Sequence, residues 1–263
     1  MVATTVSNTF IPPLFISHGA PSVLNDGSPA PEVWRAWAKN HPRPTAIVAL
    51  SAHRPACRIT VGSAVHYQEF HDFGGFSADL YQLQYRPAGA PALARKIVER
   101  LRHTGLNAVE DADHRLDHGA WVPLLAMYPE ADIPVIPLSV MPDATPAQHF
   151  ALGQALADLS AEGVLLLASG SLTHNLMAVR WGREHPLNWV EAFRDALVGH
   201  LLAGNVSAAL DYIALPHAFE NHPTNEHLLP LYFALGAGRS GQAQSVYRGF
   251  EHAAIAMDVL EFV

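Results

Sequence analysis

Pro12-Pro13-Leu14-Phe15-Ile16-Ser17-His18-Gly19-Ala20-Pro21 decides how the rest of the chain is read. Its apolar run is too short for a helix and is bounded by prolines. It therefore predicts a buried strand that delivers His18 at its carboxyl end. Two later stretches repeat the arrangement. Ala46-Ile47-Val48-Ala49-Leu50-Ser51-Ala52-His53 and Val164-Leu165-Leu166-Leu167-Ala168-Ser169-Gly170, the second followed shortly by His174, are near-continuous apolar runs that stop at small residues and then a histidine. Runs apolar on both faces mark parallel strands covered by helices, and ligands in such sheets bind beyond the carboxyl ends of the strands. Three histidines are expected on one rim.

Between these strands the pattern alternates. Pro31 to Trp37 and Ala90 to Arg102 read as helices, the second carrying Leu93, Ile97, Val98 and Leu101 as an apolar stripe closed by Gly105. Arg58 to Val61 and Ile133 to Val140 read as strands. Thr145-Pro146 caps a helix that runs to Gly163. Trp189 to Leu202 and Val206 to Ile213 read as helices, and His217 to Asn225 as irregular. Glu226 to Leu235 reads as a buried helix, and Gln244 to Arg248 and Ile255 to Phe262 as strands. With no linker or repeat, this alternation predicts one α/β domain over 1–263: three layers, with helices flanking a mixed, mainly parallel sheet. Residues 1–10 are expected to form a flexible N-terminal segment.

Charged residues are only 15% of the chain and the formal net charge is -8, which disfavours nucleic acid and anionic membranes as partners. The N-terminus lacks the basic start and apolar core of a signal peptide, and no run reaches the roughly 18 apolar residues of a membrane span. The single cysteine, Cys57, excludes an intramolecular disulfide framework, suits a cytoplasmic location, and is expected as a small buried residue in a strand. Histidine is the outlier. The 16 histidines equal Lys and Arg together, and histidine is both the commonest metal ligand and the side chain that titrates nearest neutrality.

A lone histidine at a strand end is ordinarily structural, so the case for a metal rests on His18, His53 and His174 as a set. His118 lies beside Asp117, an arrangement that suits acid–base work, although adjacent residues need not pair. Thr224 or Asn225 could cap the helix that follows, placing Glu226 and His227 in its first turn. Successive side chains there diverge by about 100 degrees, so the two are not expected to bind one metal together. His66 to Phe76, with Gly74-Gly75 between aromatics, reads as a loop able to line a flat ring. There is no G-x-G-x-x-G after a strand, no P-loop, no G-x-S-x-G, no C-x-x-C and no H-E-x-x-H.

Six stretches in order, Phe15 to Pro21, Ser51 to His53, His71 to Phe76, Asp117 to Trp121, Ser169 to Leu176 and His222 to Leu231, closely resemble the 4,5-DOPA-extradiol-dioxygenase-like group of the class III extradiol ring-opening dioxygenases. The resemblance implies a non-haem Fe(II) enzyme that opens a catechol with O2 to a ring-cleaved semialdehyde. It implies His18, His53 and His227 as metal ligands. His174 is implied as acid–base catalyst able to approach or ligate the metal, and His118 as a second proton-handling histidine. Candidate substrate contacts are His71, Phe73, Gly74, Gly75 and His222. Glu226 adjoins His227, and the sequence leaves open which of them faces the ion. Zinc would also suit such histidines, so a zinc hydrolase or a non-catalytic binding homologue on the same scaffold stand as alternatives. A homodimer would be ordinary.

Overall fold

The computed structural model describes residues 10–183 and 185–263. The expected flexible segment, residues 1–10, lies outside them except for Phe10, whose ring sits 4.4 Å from the Arg239 guanidinium.

The three histidine strands are present and adjacent. Eight strands form one mixed sheet: β1 (Leu14–Ser17), β2 (Ala46–Pro55), β3 (Ile59–Gly62), β4 (Ala108–Asp111), β5 (Val135–Val140), β6 (Val164–Gly170), β7 (Ala243–Tyr247) and β8 (Val259–Phe262), in the order β4-β3-β5-β2-β6-β1-β8-β7. The central strands β5, β2, β6 and β1 are mutually parallel, and β8 and β7 close one edge antiparallel. This is the predicted mixed, mainly parallel α/β sheet.

Burial on both faces explains the unbroken apolar runs. Phe15, Val48, Leu50, Leu166 and Ala168 point to one side, where α2 (Pro91–His103), α4 (Pro146–Leu156), α5 (Asn188–Leu202) and α8 (Leu229–Ala237) pack. Leu14, Ile16, Ile47, Ala49, Leu165 and Leu167 point to the other, under α1 (Ala30–Asn40) and α3 (His118–Met127). Helix α8 is buried along its whole length, which its lack of any charged residue permits. Helix α4 starts at the predicted cap, where Thr145 and Gln148 form a reciprocal capping box.

Register decides where the site forms. Ile16 pairs with Ser169, Ser169 with Ser51 and Ser51 with Ser139, so the strands reach one common level before they end. His18 lies two residues beyond Ile16 and His53 two beyond Ser51. Side chains two apart share a face, so both histidines emerge on the α3 side, just past a row of buried serines.

Several expectations are corrected. β2 runs to Pro55, so His53 is inside the strand rather than after it. Cys57 is exposed, in the turn between β2 and β3. Within 66–76, Gln68–Glu69 pairs with Arg115–Leu116 as a short parallel ladder. Val206 to Ile213 divides into α6 (Val206–Leu210) and a 3-10 turn beginning at Tyr212, and 217–225 contains α7 (Ala218–Asn221). Ile255 to Phe262 is two strands interrupted at Met257 and Asp258, where the Asp258 carbonyl instead accepts the Ser17 N–H. α8 starts at Leu229, because the Asn225 carbonyl takes the N–H groups of Leu228 and Leu229 and holds Glu226 and His227 in the preceding turn.

Candidate metal centre

Three imidazoles turn their Nε2 atoms toward one another. His53 Nε2 lies 3.2 Å from His18 Nε2 and 3.1 Å from His227 Nε2. The opposite nitrogen of each ring faces an acceptor. His18 Nδ1 lies 3.0 Å from Ser169 Oγ, whose own proton is donated to the Gly119 carbonyl, so the serine accepts from the imidazole. His227 Nδ1 lies 3.0 Å from Glu226 Oε1, and His53 Nδ1 lies 3.3 Å from Asp72 Oδ2. With the protons on Nδ1, three Nε2 lone pairs point into a common space.

That donor set fits a metal ion. Nitrogen ligands about 2.1 Å from an ion, at angles of 90 to 110 degrees, stand about 3.0 to 3.4 Å apart, which the His53–His18 and His53–His227 separations match. Lone pairs that converge without a shared proton repel, and a cation is the group that relieves them. Burial pushes His18 and His227 well below the ordinary imidazole range, and the neighbouring histidines push in the same direction. His53 is pushed down to about 3 by burial and His118, against the opposing pull of Asp72. Neutral imidazole is the form that can ligate.

Local structure holds this geometry. Gly170 has no side chain because the His227 carbonyl would stand 2.2 Å from a Cβ there, and the same carbonyl accepts the Ser171 N–H at 2.8 Å. The α3 N-terminus comes equally close: a Cβ on Gly119 would stand 2.5 Å from Ser51 Oγ. Asp117 caps that helix, accepting the Ala120 N–H and the Ser51 hydroxyl, and burial raises its pKa. It is not the partner of His118. That partner is Asp72, whose Oδ1 lies 3.0 Å from His118 Nδ1 and also accepts the His118 N–H. Burial alone would raise the Asp72 pKa, but hydrogen bonding and charge from His118, together with His53, bring it below the usual range.

His174 lies flat on His227, with ring centroids 3.4 Å apart and planes 9° from parallel. An ion bound in line with a lone pair lies in the plane of its ring, and two nearly parallel, separated planes do not share such a point. His174 nevertheless offers a ring nitrogen within 4.8 Å of ligand atoms on His227 and Glu226. Burial lowers its pKa, which leaves it neutral and able to accept a proton.

The remaining candidates divide. His71 and Phe73 pack on Trp121 and Tyr81, and Phe73 also meets the edge of His118. Gly74 and Gly75 are exposed, and a Cβ at either would meet nothing within 4 Å beyond its chain neighbours. His222 is fully enclosed, its Nε2 2.8 Å from the Leu172 carbonyl and its ring against Phe193 and Tyr212. A cleft of about 660 Å3, open solvent at its mouth included, opens onto His18 and His174 between Leu176, Val179, Trp181 and His252. None of those four walls was named as a substrate contact in the sequence, although Leu176 ends a recognised stretch, and neither were Asp72 and Ser169 as partners of the histidines. Asp72 lay within a recognised motif, but its aromatic and glycine neighbours carried the reading.

Residues 13–257 match the family described as the catalytic LigB subunit of aromatic ring-opening dioxygenase. A protein named 4,5-DOPA dioxygenase extradiol from Escherichia coli (strain K12) is 38% identical over 240 residues, 88% of this chain and 87% of that one. One of the same name from Beta vulgaris is 37% identical over 243 residues, 90% and 91% of the two chains. The crystal structure of an uncharacterized protein from Escherichia coli K12 superposes with a TM-score of 0.80 at 32% identity, covering 96% of this chain and all of that one. The chain belongs to the LigB family of aromatic ring-opening dioxygenases and is an extradiol ring-cleaving enzyme.

Proposed function

We propose that His18, His53 and His227 hold a ferrous ion, and that the enzyme opens a catechol-type substrate, DOPA-like or a related dihydroxyphenyl compound, with O2 to give a ring-cleaved semialdehyde. The observation that carries this reading is the convergence of three Nε2 atoms whose Nδ1 atoms are each engaged from outside. These three histidines would hold the ion, which when bound would supply the redox chemistry that joins a catechol to dioxygen.

The protein's own groups then manage protons and position. His174, neutral and at the cleft wall, takes the proton that a catechol hydroxyl gives up on binding. His118, backed by the Asp72 carboxylate, is the second group able to hold a proton near the reacting ring. Asp72 bridges His118 and His53, so one carboxylate orients both a ligand and an acid–base group.

Anaerobic reconstitution with Fe(II), then addition of oxygen and a panel of catechols, should give oxygen uptake and a yellow product. No uptake with any catechol would overturn the proposal. The all-nitrogen donor set also suits zinc, which such ligands bind more tightly than ferrous iron. Activity that depends on zinc and survives strict exclusion of oxygen would mark a hydrolase instead.

A further inference from the structure

The cleft beside the three histidines differs from them in character. Its outer wall is apolar and aromatic: Leu176 and Trp181 remain 67% and 65% exposed, and Val179 and Ile255 continue the surface inward. Trp181 is supported from two sides. The His252 ring lies 4.5 Å from it, tilted by 48°, and Phe76 meets it edge-on at 6.2 Å. Large apolar side chains left in solvent at the mouth of a cleft are characteristic of a ligand surface.

Cationic groups are missing from the same wall. Among the described residues lining the cleft there is no lysine or arginine. The nearest in sequence, Arg180, turns its Nη1 back onto the carbonyls of Met177 and Val179. Arg183 lines a separate cavity behind His252, together with Asp26 and Glu251. A charged group on a substrate tail would leave water without a counter-charge on this wall.

We infer that the catechol this enzyme selects carries an uncharged, apolar substituent, seated along Leu176, Val179, Trp181 and Ile255, rather than the charged tail of an amino acid. The inference rests on the ring-opening reading above and narrows its substrate class. The three histidines would hold the diol end, as they would for any catechol, while the Trp181 wall sets the preference among tails. A four-carbon alkyl tail moved from water onto such a wall gains enough to separate it from a charged tail by about tenfold or more.

Binding separates the two readings, because zinc holds a catechol without turning it over. The zinc-loaded protein is titrated by calorimetry with 4-butylcatechol, 3,4-dihydroxyphenylacetate, L-DOPA and dopamine. Butylcatechol should bind about tenfold more tightly than each of the other three. Trp181→Ala should lower the ratio of butylcatechol to unsubstituted catechol affinity by about fivefold or more. Leu176→Arg should shift preference toward dihydroxyphenylacetate by a similar factor. Equal or tighter binding of L-DOPA or dopamine, or an unchanged ratio in Trp181→Ala, would overturn the inference. Oxygen uptake by the Fe(II) form on L-DOPA but not on butylcatechol would overturn it while leaving ring opening intact. Selective butylcatechol binding with no oxygen uptake on any catechol would support it and overturn the ring-opening reading.

Discussion

Glu226 Oε1 lies 3.0 Å from His227 Nδ1, although the two residues are neighbours in the chain. The turn before α8 makes this possible, since outside a helix successive side chains need not diverge. Glu226 thus meets the outer nitrogen of His227, while His227 Nε2 faces His53 Nε2 at 3.1 Å. Carboxylates in this position fix the tautomer and raise the basicity of a ligating imidazole. Glu226→Ala should weaken metal binding by about 10- to 100-fold. Glu226→Gln, which retains an acceptor oxygen, should lose less. Competition against a chromophoric chelator measures both, and equal affinities for all three proteins would remove Glu226 from this role.

Gly170 ends β6 directly beneath the His227 carbonyl. Gly170→Ala must displace that carbonyl or the strand end, and overpacking of this kind costs about 1–3 kcal/mol. The expected result is a lower melting temperature together with weaker metal binding. A loss of stability with metal affinity intact would mean that the turn carrying His227 adapts without moving its ring.

His222 gives a pH dependence with a definite sign. Enclosure lowers its pKa to about 4, partly opposed by its bond to the Leu172 carbonyl, whereas in the unfolded chain it titrates near 6.5. Between those values the unfolded state binds more protons, so stability falls as pH falls from about 6.5 toward 4, by at most about 1.4 kcal/mol per pH unit from this group. His222→Gln keeps a donor for Leu172 and does not titrate. Urea unfolding of the metal-free protein at pH 7 and pH 5 should show a smaller difference for the variant than for the parent, and identical differences would refute the assignment.

Arg194 and Asp258 form a buried ion pair, with side chains 7% and 0% exposed. Asp258 also lies at the break between the last two strands, where its carbonyl accepts the Ser17 N–H just before His18. Arg194→Met leaves a carboxylate buried without its partner, a change that costs about 3–5 kcal/mol. Adding Asp258→Asn removes the stranded charge and should recover much of that loss. If chemical denaturation showed the double variant to be no more stable than the single one, the deficit would lie in packing rather than charge.

Much of this site was legible because a central parallel strand needs apolar residues on both faces and ends where that requirement ends. Ile16, Ser51 and Ser169 mark that end, and the histidines beyond it stand out against runs that contain no other polar group of their size. The partners that aim those histidines were less visible. Asp72 comes from a loop and Ser169 from a neighbouring strand, 19 residues from His53 and 151 from His18, and no periodicity connects them. The α8 boundary was misplaced because a chain with a good cap at Asn225 and one in which the Asn225 carbonyl closes a turn have the same residues. The buried pair Arg194–Asp258 was missed altogether: each looks like an ordinary charge until the helix and the strand break are brought together.

The sequence alone determined the α/β class, the order of the strands' histidines and the resemblance that named their chemistry, since these follow from local hydrophobic patterning and from motifs contiguous in the chain. Only the tertiary structure decided that Glu226 meets the outer nitrogen of His227 while Nε2 faces His53, that His174 stacks on the His227 ring, and that an apolar wall around Trp181 completes the cleft. Those outcomes depend on where separate segments meet and on which atom of a ring points inward, and both are set by packing and hydrogen bonding between residues far apart in the chain.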